Sequence, residues 1–183
     1  MLTADIFDDL VAQRIDTTRR AAAALEAAGI SYRVVGGFAV FLHVDAVDPI
    51  AARMTPDIDF GVSRSDLDAI RAAFATGRFE GDGFSYRYVD PDRRRSAVNL
   101  VFLHEKVEPG DLEPVPASEP VRTKEGIPIA PVVDLVHMKL TSYRLKDQVH
   151  IQDLDHAGLI TPEIERSLSE PLLARLKEVR SKR

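Results

Sequence analysis

Two aspartates separated by a single residue, Asp57 and Asp59, are the side chains of this sequence best suited to metal chemistry. Alternate side chains of a β-strand share a face, so both carboxylates would point to one side, while Ile58, Phe60 and Val62 point into a core. Neighbouring carboxylates repel each other, and folding alone gives little reason to place them together. A divalent cation with oxygen ligands gives a good reason, so the pair predicts a site for such a cation. Two strand-end aspartates that meet solvent are the alternative.

A glycine pair, Gly36-Gly37, precedes the aspartates and follows another apolar run. The pattern predicts a strand over residues 31–35 and a helix over residues 38–44, with the glycines at the turn between them. Backbone without side chains can approach a phosphate closely, and the first turn of a helix carries partial positive charge. The glycine pair therefore predicts a phosphate-binding segment beside the two carboxylates.

The order of these motifs resembles the nucleotidyltransferase superfamily, whose pattern is an apolar residue, Gly-Gly or Gly-Ser, and then Asp-x-Asp. Within that superfamily the sequence looks most like the toxin-associated AbiEii/AbiGii branch. The residues that carry the resemblance are Gly36, Gly37, Arg53, Thr55, Asp57 and Asp59, with a later block over residues 139–154. The resemblance implies an enzyme that binds an NTP with Mg²⁺ or Mn²⁺ and moves a nucleoside monophosphate to a hydroxyl group. The resemblance also implies that the acceptor is an RNA, such as a tRNA 3′ end, or a partner protein. It suggests a toxin–antitoxin setting, with a cognate antitoxin as a further partner.

The resemblance also assigns roles to residues. Asp57 and Asp59 would bind the metal and take part in catalysis. The nucleotide would be bound by Gly36, Gly37, Arg53, Thr55, Lys139 and Arg144.

The later block resembles the lysine-bearing helix pair of the toxin-type branch. The resemblance implies that Lys139 neutralises the triphosphate, with help from Arg144 or Lys146. Asp153 would position the lysine or the metal and so join the catalytic residues. Periodicity alone places Lys139 at the edge of an apolar helical stripe, where a surface lysine with a buried stem fits equally well. A break between this helix and the next is predicted near Asp147.

One position departs from the superfamily pattern, which usually has a third carboxylate on a later strand. That position falls on Asn99, within a predicted strand over residues 96–104. An amide oxygen can bind a metal, but it has no charge and cannot accept a proton as a carboxylate does. The chemistry would then use two carboxylates, or another acid such as Glu105 or Asp153, or be impaired.

Two other functions stay open on the sequence. The first is a nucleotide-binding or interaction module that has lost catalysis, which Asn99 motivates. The second is nucleotidyl transfer to a small molecule such as an aminoglycoside. The net charge of −5 fits this second function better than a surface that grips RNA throughout.

The composition excludes several other classes of protein. The chain has 183 residues, 45% of them hydrophobic and 29% charged, and no cysteine, which excludes disulfides and thiolate metal sites. It has no HExxH zinc motif, no G-x-S-x-G elbow and no P-loop. The opening MLTADIFDDL is unlike a secretory signal and no apolar run is long enough to span a membrane, so we expect a cytoplasmic protein.

The predicted helices and strands that position these residues indicate a mixed α/β fold. Residues 1–130 would form a nucleotidyltransferase-like sheet flanked by helices, with a long helix over residues 5–28. Residues 131–183 would form a helical part packed on that core, as one structural unit. A hairpin is predicted around Gly81-Asp82-Gly83, and a last helix is predicted from Pro162 to the basic tail, with Thr161 as its cap.

Overall fold

The computed structural model describes residues 2–81, 85–89 and 97–182, with side chains from residue 9 onward. The described strands form one seven-stranded sheet in the order β3-β4-β5-β2-β1-β7-β6. These strands are β1 (Tyr32–Val35), β2 (Ile58–Val62), β3 (Arg78–Gly81), β4 (Tyr86–Val89), β5 (Ala97–Phe102), β6 (Val121–Arg122) and β7 (Pro128–Ile129). The β2–β5 and β1–β7 pairs are parallel, and the other strand pairs are antiparallel.

Helices flank this sheet and fill the C-terminal part of the chain. They are α1 (Leu2–Ala27), α2 (Gly36–Asp45), α3 (Leu67–Ala73), α4 (Val132–Ser142), α5 (Leu145–His156), α6 (Pro162–Ser167) and α7 (Glu170–Ser181). One apolar core includes side chains from the sheet and from the C-terminal helices, among them Phe38, Phe60, Leu135 and Leu172. The predicted α/β class, a mixed sheet with flanking helices and a helical C-terminal part, is confirmed.

The two central strands, β2 and β5, have the predicted alternation of buried and polar side chains. Ile58, Phe60 and Val62 are fully buried, and every second residue of β5 is buried in the same way. Between them, Asp59 and Asn99 lie directly opposite each other in the parallel register. The sheet therefore presents two polar side chains together on the face opposite its core side.

Helices α4 and α5 meet at a corner formed by Tyr143, whose backbone is left-handed with φ 51°. Arg144 follows as the N-cap of α5, and its backbone N–H donates to the Asp147 carboxylate at 3.2 Å. The predicted break near Asp147 is therefore wrong, because Asp147 lies inside the first turn of α5. A carboxylate is stable there, since the first turn of a helix has unpaired N–H groups and partial positive charge.

The C-terminal helix α7 supports this corner. The Arg175 guanidinium donates to the backbone oxygens of Leu140 and Thr141, both at 2.7 Å, and lies 4.8 Å from the centre of the Tyr143 ring. The last carbonyls of a helix have no partners within it, so a side chain from outside satisfies them. Helix α7 thus fixes the end of α4.

The predicted helix from Pro162 to the tail is in fact two helices, α6 and α7. Thr161 caps the first, because its hydroxyl accepts from the Ile164 N–H at 3.4 Å. Pro171 lies in the first turn of α7, where its missing N–H costs nothing and where it favours the start of a new helix.

Other expectations fall partly outside the described residues. Strands β3 and β4 pair antiparallel, as a hairpin requires, but two residues of the predicted turn at 81–83 lie outside the described ranges, as does the first residue of the strand predicted over 96–104. Of the helices in the described ranges, none combines the length and the apolar character that a membrane span needs.

Candidate active site

A cleft of about 540 Å³ opens where β1, β2 and β5 face the corner between α4 and α5. The loop over residues 103–120 forms its remaining wall. The predicted site residues that line this cleft are Gly36, Asp57, Asp59, Asn99, Lys139 and Arg144, together with Lys146. Sequence positions more than 100 residues apart are thus brought to one place.

Asp59 lies at the centre of the cleft floor. Its Oδ1 accepts from the Asn99 Nδ2 at 2.9 Å, across the parallel register of β2 and β5. Burial raises the pKa of Asp59 above its ordinary value, and Asp57 acts in the same direction, while the Asn99 hydrogen bond and the charge of Lys139 oppose that rise. The carboxylate is therefore held next to one neutral donor, with a cation nearby.

Gly36 is required because of Asp59. Its φ is +70°, and a Cβ atom at this position would overlap the Asp59 Oδ2. Strand pairing explains the closeness, because Val35 lies opposite Asp59 in the antiparallel register of β1 and β2. A residue with a side chain at position 36 would therefore both strain the backbone and displace the carboxylate.

Gly37 is required for a different contact. A Cβ atom there would lie 2.9 Å from the His150 Cε1 and 3.1 Å from the Thr55 Oγ1. The glycine lets the first turn of α2 approach α5 closely. Gly37 and Thr55 do not line the cleft, and they pack behind the turn that carries Gly36.

Asp57 lies just before β2 and is more exposed than Asp59. The Lys146 Nζ lies 3.7 Å from the Asp57 Oδ2, and both side chains are more than half exposed. An exposed pair at this distance contributes little to stability, on the order of 0–1 kcal/mol. Its interest is that Lys146 holds positive charge at the carboxylate pair.

The donors at the cleft floor fit a hard divalent cation. Asp57 and Asp59 have carboxylate oxygens, Asn99 has an amide oxygen, and the Asp59 Oδ2 occupies the space that a Cβ at position 36 would need. Oxygen ligands of this kind suit Mg²⁺ or Mn²⁺. Within the described ranges, no three His, Cys, Asp or Glu residues come together as a metal cluster.

Lys139 is almost fully buried on α4, and its Nζ donates to the Asp147 Oδ1 at 2.9 Å. The fully buried Asp147 also accepts from the Ser142 hydroxyl at 2.8 Å and from the Arg144 Nε at 2.7 Å. Burial by itself would raise the pKa of Asp147, but its hydrogen bond from Arg144 and the charge of Lys139 hold it well below the ordinary value. The contacts of Asp147 with Lys139 and Arg144 were not predicted from the sequence.

Asp153 does not contact the lysine that it was expected to position. Its Oδ1 lies 3.1 Å from the Nε of Arg53, which is 66% exposed, and neither residue lines the cleft. Burial raises the pKa of Asp153, and Arg53 opposes the rise. The pair connects the loop before β2 to α5, so Arg53 and Asp153 support the cleft from outside.

The loop wall is acidic, which the sequence pattern did not indicate. Glu108, Asp111 and Glu113 line the cleft from this side. Glu113 is held by the His137 Nδ1 at 2.9 Å and by the Ser169 hydroxyl at 2.6 Å. The cleft thus has a basic wall on α4 and α5 and an acidic wall on the loop.

The fold agrees with that of known nucleotidyltransferases. No protein-family model matches the sequence, and no curated protein matches it. The crystal structure of ANT(2″)-Ia in complex with adenylyl-2″-tobramycin superimposes with a TM-score of 0.55 at 14% identity, over 93% of this chain and 98% of that chain. The solution structure of the antibiotic-resistance factor ANT(2″)-Ia gives a TM-score of 0.48 at 11% identity, over 93% and 84% of the two chains. TM1012 of Thermotoga maritima, a proposed nucleotidyltransferase, gives 0.49 at 13% identity, over 79% and 93%.

The first of these similarities, with 14% of residues identical, shows the fold alone. The chain has a nucleotidyltransferase-like fold, and its structural neighbours are nucleotidyltransferases. The toxin-type branch stays a prediction.

Proposed function

We propose that the protein is a metal-dependent nucleotidyltransferase that moves a nucleoside monophosphate from an NTP to a hydroxyl group. One observation carries this proposal: Asp57 and Asp59 face Lys139 and Arg144 across a single cleft. Carboxylates that hold a cation and cations that bind phosphates are needed together in nucleotidyl transfer, because the reaction builds up charge on the transferred phosphoryl group.

The residues of the cleft divide the work between them. Asp57, Asp59 and Asn99 would hold Mg²⁺ or Mn²⁺, which neutralises phosphate charge when bound. Lys139 and Arg144 would bind the triphosphate oxygens. The attacking hydroxyl oxygen forms a bond to the α-phosphorus, pyrophosphate leaves with the electrons of the broken bond, and the hydroxyl proton passes to a carboxylate. Since Asn99 cannot accept that proton, Asp59 is our candidate for it.

The resemblance to the toxin-type branch favours the hydroxyl of an RNA, such as a tRNA 3′ end, or of a partner protein as the acceptor. In that setting a cognate antitoxin protein would control the enzyme. We keep this acceptor class as the first candidate.

A small cationic acceptor is the second candidate, and the acidic wall favours it. Glu108, Asp111 and Glu113 would repel a polyanion and attract amines. ANT(2″)-Ia, which shares the fold, was solved with adenylyl-2″-tobramycin, a nucleotidylated small molecule.

A module without catalysis is the remaining alternative, and Asn99 is the observation in its favour. Asn99 donates to Asp59 and stands where the superfamily pattern usually has a third carboxylate, so this position carries an uncharged amide. Such a protein would bind NTP and metal without transferring the nucleotide.

Labelled nucleotide distinguishes these functions. Purified protein is incubated with each α-labelled NTP, Mg²⁺ and one acceptor: total RNA, lysate protein or a set of aminoglycosides. We expect label in one acceptor class with the wild type and none with Asp59→Asn. Nucleotide binding without label in any class supports the module, and neither binding nor transfer with any of the four NTPs rejects the proposal.

A further inference from the structure

One buried carboxylate, Asp147, organises the basic wall of the cleft. It accepts from the Lys139 Nζ at 2.9 Å, the Ser142 hydroxyl at 2.8 Å and the Arg144 Nε at 2.7 Å. Each of these donors belongs to a residue that lines the cleft, whereas Asp147 itself does not line it. Asp147 thus lies behind the wall and touches most of its polar groups.

The position of Asp147 follows from the corner between α4 and α5. Tyr143 turns the chain, and Arg144 then places its backbone N–H and its side chain on the same carboxylate. Lys139 reaches that carboxylate from the preceding helix, eight residues earlier in the sequence. Two cations from the two helices are therefore held against one anion.

We propose that Asp147 is the positioning residue of the nucleotide site, holding Lys139 and Arg144 at the spacing that a triphosphate requires. This inference rests on the proposed function, because it assumes that the cleft binds an NTP. Asp147 acts through the two cations and does not touch the substrate.

When no nucleotide is bound, Lys139 and Arg144 depend on Asp147 for their positions. Lys139 is almost fully buried, and a buried ammonium without a counter-ion is strongly disfavoured. Arg144 is 61% exposed and would sample many rotamers if Asp147 did not hold its Nε. An ammonium has three donors, so Lys139 can bind Asp147 and still reach phosphate oxygens from the cleft wall.

Replacement of Asp147 should therefore weaken the binding of the phosphate groups and leave the binding of the nucleoside unchanged. In Asp147→Asn the amide can still accept the Arg144 N–H at the helix start, but the charge that pairs the two cations is lost. Affinities for AMP, ADP and ATP are measured with Mg²⁺ on the intact chain by calorimetry. We expect wild-type affinity to rise with each phosphate. The variant should bind ATP at least tenfold more weakly than the wild type, with AMP affinity changed less than twofold.

Asp155→Asn is the matched control. Asp155 is on the same helix and pairs with Arg180 at 2.8 Å, outside the cleft. This variant loses a carboxylate–arginine pair, as Asp147→Asn does, and should keep the wild-type dependence of affinity on phosphate number. If Asp147 were merely structural, Asp147→Asn would behave like Asp155→Asn. Both variants would then have a lower melting temperature, and both would keep the wild-type dependence of affinity on phosphate number.

Asp147→Glu keeps the charge and moves it by about one bond length. We expect it to recover part of the lost ATP affinity, and it gives a second measurement if Asp147→Asn does not fold: weaker ATP binding than wild type with unchanged AMP binding. Asp147→Asn with the wild-type ratio of ATP to AMP affinity overturns the positioning role alone, and Asp147→Glu with that ratio does so if Asp147→Asn does not fold. A wild type that binds none of the three nucleotides overturns the proposed function, and this inference with it.

Discussion

Asp59 is enclosed by neighbours that carry no charge. Asn99 donates to one of its oxygens, and Gly36 lies against the other. Its nearest charges come from Asp57, just before the same strand, and from Lys139 and Lys146 on the helices. A carboxylate in such surroundings stays available to a cation, because no arginine or lysine forms a close ion pair with it among the described contacts.

Replacement of Gly36 by alanine tests this enclosure. Gly36→Ala should lower nucleotidyl transfer about a hundredfold, because the new methyl group would displace the Asp59 carboxylate. The left-handed backbone also adds about 1–2 kcal/mol of strain. Transfer rate and melting temperature are measured together.

Gly158→Ala supplies the control for that strain. Gly158 has the same φ of +70° as Gly36, and nothing lies within 4 Å of its added Cβ. It should lose comparable stability and retain the wild-type rate. Equal rates in the two variants would contradict the role given to Gly36.

Replacement of Asn99 distinguishes an enzyme from a module that binds NTP and metal without catalysis. In Asn99→Asp, two carboxylates would meet at the 2.9 Å contact with Asp59, so the variant should be about 1–3 kcal/mol less stable in EDTA. Mg²⁺ should offset that loss. If no carboxylate of the wild type accepts the hydroxyl proton, transfer should rise by up to ~10²–10⁴-fold, the usual contribution of a positioned proton acceptor; an unchanged rate would mean that Asp59 already accepts it.

Asn99→Ala is the comparison, since it removes the donor and adds no charge. Its loss of stability should be the same in EDTA and in Mg²⁺. If Asn99→Asp also melts identically under both conditions, the metal does not bind at the Asp59–Asn99 pair.

Helix α5 connects the site to its surroundings through three side chains. Asp147 binds the cations of the cleft wall, His150 lies against Gly37, and Asp153 pairs with Arg53. These residues are spaced at three-residue intervals and so lie along neighbouring turns of one helix. The helix therefore fixes both the basic wall and the turn that follows β1.

His150 makes this element sensitive to acid. Burial and the nearby Lys139 lower its pKa to about 4, and its Nδ1 is buried without a partner among the described contacts. A histidine whose pKa is lower in the folded chain binds more protons in the unfolded chain at intermediate pH. Its neutral form therefore favours folding above pH ~6.5, and that contribution is lost as the pH falls from ~6.5 to about 4.

His150→Gln should flatten this part of the stability curve. The wild type is expected to lose roughly 1–2 kcal/mol between pH 7 and pH 4.5 through this residue, after allowance for solvent screening. The variant, which cannot take up the proton, should lose less over the same range. Urea denaturation at the two pH values measures the difference, and equal losses in both proteins would contradict it.

Local patterns were sufficient to predict the elements that carry the carboxylates. Alternation around Asp59 and Asn99 predicted both strands, and the glycine pair predicted the turn. These two residues lie opposite each other across parallel strands, and the role of Asn99 as a metal ligand stays a prediction. Strand periodicity has this power because one register error would turn the apolar side chains to the wrong face.

Other features depend on tertiary contacts and were not predictable in this way. Tyr143 adopts a left-handed backbone without being glycine, and Arg175, from a helix far along the sequence, satisfies the carbonyls there. The choice of Asp147 and not Asp153 as the partner of Lys139 follows from that corner. The sequence near Lys139 does not indicate that Arg175 will pack against the end of α4.

At the scale of the whole molecule, the cleft lies between walls of opposite charge. Lys139, Arg144 and Lys146 face the loop that carries Glu108 and Asp111. An NTP at the basic wall would therefore lie in a positive electrostatic potential, and an acceptor at the loop wall would lie in a negative one. The negative net charge of the chain would not prevent triphosphate binding, because the basic residues are local to one wall.

Ligand binding should stabilise the whole fold. At a ligand concentration about 100 times the Kd, a site that exists only in the native state adds ~2.7 kcal/mol. We expect Mg²⁺ with at least one NTP to raise the melting temperature of the wild type, and adenosine with Mg²⁺ to raise it far less. The combined Asp57→Asn and Asp59→Asn variant should lose the metal-dependent part. A shift that survives in that variant would place the metal elsewhere.

The contact of Arg175 with the end of α4 has a consequence for the order in which this protein is made. A ribosome synthesises every residue that lines the cleft before it reaches α7. Until α7 has emerged, the carbonyls of Leu140 and Thr141 have no Arg175 to bind, and the corner that aims Lys139 and Arg144 is unsupported. If the cleft binds a nucleotide as we propose, a nascent chain that already carries its aspartates and its lysine should bind it weakly, and binding should strengthen when α7 docks.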